Sequence, residues 1–97
     1  MKNMKGSVAV VTGGGSGLGK AIALEAARRG MRVVIADVQA EAMDSVVEDL
    51  RASGADAIGV LTDVTSAASV EALAEATERQ FGPANLVFNN AGVASGG

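Results

Sequence analysis

The residues of this chain with the clearest chemical potential form a glycine cluster at positions 13–19, which read GGGSGLG between an apolar run and an alanine-rich segment. Glycine tolerates positive φ and lets a ligand approach the backbone closely. The first turn of the helix predicted to follow has N–H groups without intrahelical partners and carries a partial positive charge. A glycine loop that leads into a helix start is a seat for phosphate, so we expect nucleotide binding here.

Three nucleotide-loop patterns compete for this cluster. From Gly14 the residues match most of the P-loop pattern, but Ala21 stands where a hydroxyl must bind Mg²⁺. The dinucleotide pattern G-x-G-x-x-G fails because Leu18 and Lys20 occupy the places of its last glycine. The spacing T-G-x-x-x-G-x-G fits from Thr12 to Gly19, and this third pattern is the one we favour.

Polar residues also end each of the three later apolar runs. Asp37 follows the second run, where a carboxylate can accept hydrogen bonds from ribose hydroxyls or instead cap the next helix. Asp63 and Val64 follow the third run, where a simple turn into a helix explains them equally well. The fourth run ends in Asn89-Asn90-Ala91-Gly92.

Taken together, these four motifs resemble the short-chain dehydrogenase/reductase family, and the resemblance extends over about residues 5–97. It implies NAD(P)-dependent hydride transfer between a nicotinamide and a small alcohol or ketone. In the family the motif's Asn braces the central sheet and its Ala-Gly pair runs beside a cofactor ribose. The residues expected to bind the cofactor are Gly13, Ser16, Gly17, Leu18, Gly19, Asp37, Asp63, Val64, Asn90, Ala91 and Gly92.

Each part of the cofactor has an expected partner in this set. Backbone N–H groups of Ser16, Gly17 and Leu18 are expected to meet the pyrophosphate. The resemblance places the Asp63 side chain and the Val64 backbone on the adenine. A 2′-phosphate near Asp37 would meet a like charge, and no Arg or Lys at 14–16 or 38–40 offsets it. The sequence therefore favours NAD over NADP.

The chemistry of hydride transfer is missing from this sequence. The family uses a Ser and a Tyr-x-x-x-Lys pair, whereas this chain has no Tyr and has Lys only at 2, 5 and 20. We assign no catalytic residue and expect residues 1–97 to be the N-terminal, cofactor-binding portion of a longer enzyme, inactive alone. The alternatives are a stand-alone dinucleotide-binding module and a non-catalytic fragment that serves assembly.

Composition limits the other possible functions. A chain of 97 residues makes one domain, and its net charge of −3 with scattered basic residues argues against nucleic acid as a partner. The absence of Cys and His removes disulfides and the usual zinc ligands, so we expect no metal site. No apolar run approaches a membrane-spanning length. We expect a cytoplasmic protein that binds NAD(H) and forms a homo-oligomer when complete.

Strand and helix patterns alternate along the chain. They predict a Rossmann-like doubly wound parallel sheet of order 3-2-1-4, truncated after the fourth strand, with the ligand crevice between strands one and four. Only one helix would cover the second face, so Val8, Val10, Val33 and Ile35 are expected to be partly bare, and Leu86–Phe88 to form an open apolar edge. The predicted strands are 7–12, 32–37, 57–62 and 85–90, and the helices are 18–29, 39–53 and one capped by Thr65 or Ser66 with the apolar stripe Val70, Leu73, Ala74, Thr77 and Phe81.

Overall fold

A computed structural model of the chain describes residues 5–90. The elements in chain order are β1 (Val8–Thr12), α1 (Gly17–Arg28), β2 (Arg32–Asp37), α2 (Ala40–Ala52), β3 (Ala57–Leu61), α3 (Ala67–Gln80) and β4 (Leu86–Asn89). Every strand and helix that the sequence predicts is present, and the observed boundaries lie within one residue of the predicted ones. In this part of the chain, no helix has both the length and the apolar content needed to cross a bilayer.

The four strands form one parallel sheet in the order β3-β2-β1-β4, which confirms the predicted doubly wound topology. Val10 of β1 is paired with Val34 of β2 on one side and with Val87 of β4 on the other. The chain leaves β1 toward β2 and β3 and returns to the opposite side of β1 as β4. The carboxyl ends of β1 and β4 therefore flank the point where the strand order reverses, which is where ligands bind in open α/β sheets.

Two apolar clusters hold the sheet, one on each face. Helices α1 and α2 cover the first face, where Val33 and Ile35 are buried with Leu50 of α2. Helix α3 covers the second face, where Val8 and Val10 are buried with other strand residues and with α3. β-Branched side chains suit such a sheet because they pack well on a pleated surface that is covered on both sides.

The prediction that strand residues at the centre of the sheet would be partly bare is wrong. Val8 and Val10 are 3% and 4% exposed, and Val33 and Ile35 are fully buried. A single helix is enough for the second face because Leu73 of α3 lies over the central strands. Apolar surface is exposed at the sheet's two edges, where Leu61 of β3 is 61% exposed and Val87 of β4 is 64% exposed. The predicted open edge at Leu86–Phe88 is therefore correct for Val87, while Leu86 and Phe88 are half-buried.

The N-cap of helix α3 is Ser66, whose hydroxyl accepts a hydrogen bond from the Ser69 N–H at 3.2 Å. This settles the choice that the sequence left open between Thr65 and Ser66. The predicted apolar stripe is only partly correct, because Leu73 and Thr77 are buried while Val70 and Ala74 are exposed. Ala74 lines an open groove of about 170 Å³ between α3 and β4, and no side chain of residues 5–90 fills it.

Candidate functional site

The glycine loop joins the carboxyl end of β1 to the start of α1. Gly13 adopts a left-handed φ of +67°, and its N–H donates to the Ala36 carbonyl at 2.7 Å, which ties the loop to β2. Gly19, on the first turn of α1, lies under the loop so closely that a Cβ there would be 2.2 Å from the Gly13 carbonyl oxygen. The glycines at 13 and 19 therefore permit the turn itself and the close approach of α1 to it.

The start of α1 presents hydrogen-bond donors toward open space. No carbonyl of the helix can accept from the N–H groups of Gly17 and Leu18, and no acceptor for them lies elsewhere in residues 5–90. A Cβ built on Gly17 would meet nothing within 4 Å, and Leu18 is 58% exposed. The Ser16 N–H, in contrast, donates to the Gly13 carbonyl at 3.2 Å. Of the three amides expected to meet a pyrophosphate, two are therefore free to do so.

Asn90 fastens the glycine loop to the end of β4. Its amide nitrogen, in a side chain that is almost fully buried, donates to the Gly13 carbonyl at 3.1 Å and to the Ser16 hydroxyl at 3.0 Å. The sheet itself is braced by the preceding residue, because Asn89 Oδ1 accepts from the Thr12 hydroxyl at 3.0 Å. The structure thus brings Asn90 and the loop together across the crevice, as the fold predicted. Residues 91 and 92 lie outside the described part of the chain.

Asp37, the last residue of β2, binds two backbone N–H groups with its two carboxylate oxygens. Oδ2 accepts from Gly15 at 2.9 Å, and Oδ1 accepts from Gln39 at 3.0 Å. The N-cap of α2 is Gln39, without a side-chain cap, so Asp37 shapes the turn before α2 and does not cap the helix itself. The contact with Gly15 was not predicted, because position 15 is an unspecified place in the loop pattern.

Asp63 follows β3 and is held by the residues that lead into α3. Its Oδ1 accepts from the Thr65 hydroxyl at 2.6 Å and from the Thr65 N–H at 2.9 Å, while its own N–H donates to the Ser69 hydroxyl at 2.8 Å. The two bonds from Thr65 hold the pKa of the Asp63 carboxyl below its usual value of 3.8, and the bond from the Thr65 hydroxyl has the larger effect. The group is fully exposed and therefore stays available to a ligand as an anion.

Two apolar side chains that the sequence reading missed stand beside Asp63. Val38 and Leu61 are each 61% exposed at the carboxyl ends of β2 and β3, and Val64 is 39% exposed. Val38 and Leu61 line a depression of about 300 Å³ that Asp63 and Ser69 close on its polar side. A flat apolar ring with polar edges fits such a surface. The sequence does hold a signal for them, because an apolar residue lies at the carboxyl end of β2 and of β3, and ligands bind at the carboxyl ends of strands in such sheets.

The pKa of Asp63 gives a testable pH dependence. Replacing Thr65 with valine removes the hydroxyl bond but keeps the backbone bond, so we expect the Asp63 pKa to rise toward 3.8. A depressed folded-state pKa contributes stability that is present above the unfolded-state pKa and is lost as pH falls through the folded value. The acid-dependent loss of stability should therefore be smaller in the Thr65→Val variant.

Carboxyl-carbon NMR titration of the native and Thr65→Val proteins measures this shift directly. The native midpoint for Asp63 should lie below 3.8 and the variant midpoint above the native one. Identical midpoints in the two proteins would contradict the assigned cause.

The remaining charged groups near the loop do not assemble into another kind of site. Lys20, which the P-loop alternative would need at a phosphate, lies 3.3 Å from Asp49 on α2. Within residues 5–90, no group of three or more His, Cys, Asp or Glu side chains is placed to hold a metal ion. The arrangement at the carboxyl edge of the sheet can therefore bind an anion at α1, hydroxyls at Asp37 and a ring against Val38 and Leu61.

Comparison with known proteins relates this chain to one protein family. The family profile described as short chain dehydrogenase matches residues 7–97. The 1-deoxy-11-beta-hydroxypentalenate dehydrogenase of Streptomyces avermitilis is 41% identical over 91 residues, which cover 94% of this chain and 34% of that protein. Versicolorin reductase 1 of Aspergillus parasiticus is 41% identical over 95 residues, which cover 97% of this chain and 36% of that protein.

Solved structures give the same result. A short chain dehydrogenase/reductase from Burkholderia phymatum in complex with NAD superposes with a TM-score of 0.87 at 48% identity, over 90% of this chain and 31% of that one. A hydroxysteroid dehydrogenase from Escherichia coli gives a TM-score of 0.86 at 33% identity, over 90% of this chain and 37% of that one. The chain thus spans about a third of the length of these relatives.

Proposed function

Because this chain belongs to the short-chain dehydrogenase family, we propose that it supplies the NAD-binding part of an oxidoreductase that moves a hydride between nicotinamide and a small alcohol or ketone. The proposal is carried by one observation, the pair of free N–H groups at Gly17 and Leu18 beside open space at the start of α1. A helix N-terminus of this kind stabilises an anion by about 0.3–1 kcal/mol, and by up to ~2 kcal/mol when the site is partly buried.

The described residues fit NAD from its pyrophosphate to its adenine. Gly17 and Leu18 would donate to the pyrophosphate, while Gly13 and Gly19 keep the loop close to α1 and Asn90 holds its shape through Ser16. Asp37 would accept from the ribose hydroxyls. The open depression beside Asp63 and Val64 would take the adenine, with Val38 and Leu61 against the ring. We propose that Ala91 and Gly92 run beside a cofactor ribose.

The residues of this chain act by binding and orienting, not by proton transfer. NAD, when bound, supplies the hydride acceptor. The chain's part is to fix the pyrophosphate through α1 and the adenosine through Asp37 and Asp63, so that the nicotinamide end is directed to the crevice between β1 and β4. The sequence contains no Tyr, and we assign the acid/base of the reaction to none of its residues.

The choice of NAD over NADP rests on the charge at Asp37. The carboxylate is half-buried, and its two oxygens already receive N–H bonds. These bonds leave each oxygen a further lone pair for a ribose hydroxyl. A 2′-phosphate at the same place would be repelled by roughly 4 kcal/mol per pair of unit charges 4 Å apart near a surface.

Calorimetric titration of the native polypeptide with NAD and with NADP, at one ionic strength near physiological, tests the proposal. We expect saturable binding of NAD and a Kd for NADP at least tenfold higher. Failure of both dinucleotides to bind would overturn the proposed function. Equal Kd values would retain the dinucleotide site and refute the preference for NAD.

A further inference from the structure

We propose that Gly15 is a positioning residue for cofactor specificity, because its N–H holds the Asp37 carboxylate in the orientation that accepts ribose hydroxyls and repels a 2′-phosphate. This inference rests on the proposed function. Position 15 is one of the unspecified places in the T-G-x-x-x-G-x-G spacing, so the spacing alone gives Gly15 no role.

The Asp37 carboxylate is held from two sides. Gly15 of the loop donates to Oδ2 at 2.9 Å, and Gln39 of the turn before α2 donates to Oδ1 at 3.0 Å. With one backbone donor on each oxygen, rotation of the carboxylate about its χ2 bond breaks at least one of these bonds. Hydrogen bonds to a charged group are stronger than those between neutral groups, so the two donors keep this half-buried side chain in one orientation.

Only glycine can stand at position 15 with this contact intact. A Cβ built there would lie 2.9 Å from Asp37 Oδ2 and 2.9 Å from the Ala42 Cβ, and 3.1 Å from the Ala42 carbonyl carbon. Ala42 belongs to the first turn of α2, so its backbone cannot swing aside as a flexible side chain could. A side chain at 15 therefore requires the loop, the Asp37 carboxylate or α2 to shift, and we expect the bond between Gly15 and Asp37 to lengthen.

The reason for glycine at position 15 differs from the reasons at its neighbours. Gly13 has a positive φ, whereas Gly15 does not. Gly17 has open space around it, whereas Gly15 is packed against Asp37 and Ala42. Since neither backbone conformation nor ligand approach explains Gly15, its contact with Asp37 is the property that a substitution would remove.

The ratio of the NADP Kd to the NAD Kd separates this role from a general effect on the loop. A displaced loop weakens the pyrophosphate contact shared by both dinucleotides and leaves the ratio unchanged. A loosened Asp37 can turn away from a 2′-phosphate, which lowers the ratio. We expect Gly15→Ala to raise the NAD Kd about tenfold and to lower the ratio at least fivefold.

A double-mutant cycle in the native polypeptide tests whether Gly15 acts through Asp37. The ratio is measured by calorimetry for the native protein, Gly15→Ala, Asp37→Ala and the double variant. In the Asp37→Ala background we expect Gly15→Ala to change the ratio by less than twofold. Gly17→Ala, at the first residue of α1, is the matched control, and it should raise both Kd values by the same factor. An unchanged ratio in Gly15→Ala overturns the inference.

A second measurement needs no cofactor and does not depend on the folding of a Gly15 variant. In Asp37→Ala the Gly15 amide loses its acceptor, so we expect its NMR resonance to shift upfield and its hydrogen exchange to accelerate at least tenfold. Unaltered exchange would also overturn the inference. If the native protein binds neither dinucleotide, the proposed function fails, whatever the role of Gly15. If the native protein binds NAD but Gly15→Ala leaves the NADP-to-NAD Kd ratio unchanged, only the role of Gly15 is refuted.

Discussion

Replacing Gly19 with alanine is expected to abolish dinucleotide binding and to destabilise the fold, whereas Gly17→Ala should weaken binding without destabilising the fold. The new methyl at 19 would lie 2.2 Å from the Gly13 carbonyl oxygen and 2.8 Å from the Gly14 Cα. These are backbone atoms, so the collision is relieved only by moving α1 away from the loop. Overpacking of this kind costs about 1–3 kcal/mol, which exceeds the gain of up to ~1 kcal/mol from alanine in a helix.

Gly17 provides the matched comparison on the same helix turn. A Cβ there meets no protein atom within 4 Å, so the Gly17→Ala variant should melt at or slightly above the native temperature. The same methyl would occupy the space through which a phosphate reaches the Gly17 and Leu18 N–H groups, so we expect the NAD Kd to rise at least a hundredfold.

Thermal unfolding followed by circular dichroism and titration with NAD separates the two glycines. The expected pattern is a lower melting temperature with lost binding for Gly19→Ala, and a native or slightly higher melting temperature with weakened binding for Gly17→Ala. A native melting temperature for Gly19→Ala would show that α1 adjusts at little cost. Undiminished NAD affinity in Gly17→Ala would remove α1 from the binding site.

Replacing Asp37 with asparagine is expected to lower the ratio of the NADP Kd to the NAD Kd at least tenfold. The substitution keeps the size of the side chain and removes the charge that repels a 2′-phosphate. It also places an amide NH₂ against either the Gly15 or the Gln39 N–H, each of which donates to the native carboxylate. NAD should therefore bind less tightly while NADP binds more tightly, and since tenfold corresponds to about 1.4 kcal/mol, part of the ~4 kcal/mol repulsion suffices.

The control for this prediction is Asp44→Asn, which removes the same charge from an exposed position on α2. It should leave both Kd values unchanged. Titrating the native protein at rising ionic strength gives a second check, because screening weakens the repulsion of partly exposed charges and should lower the native NADP-to-NAD ratio. If the NADP-to-NAD Kd ratio is unchanged in Asp37→Asn, Asp37 only shapes the turn before α2.

The element boundaries and the strand order could be predicted because the signals for them are local. β-Branched apolar runs mark the strands, and Gly30, Gly54 and Gly82 adopt a positive φ just after the three helices, as glycines at these ends commonly do. The right-handed crossover rule then leaves few arrangements for four parallel strands. The burial of the central valines was predicted wrongly because coverage depends on where α3 lies across the sheet, which no local pattern specifies.

In the candidate site, too, some features follow from the sequence and others depend on the tertiary structure. By itself the sequence determined the loop spacing, the acidic residue that ends β2 and the strand order that brings Asn90 to the loop. Only the tertiary structure decided that Ser16 turns its N–H inward, that Asn90 donates to Gly13 across 77 residues and that Asp37 anchors Gly15 across 22. Contacts over such separations depend on how far one strand end extends past its neighbour and on the direction in which a side chain points there. Periodicity and spacing along the chain specify neither of these, so they cannot predict such contacts.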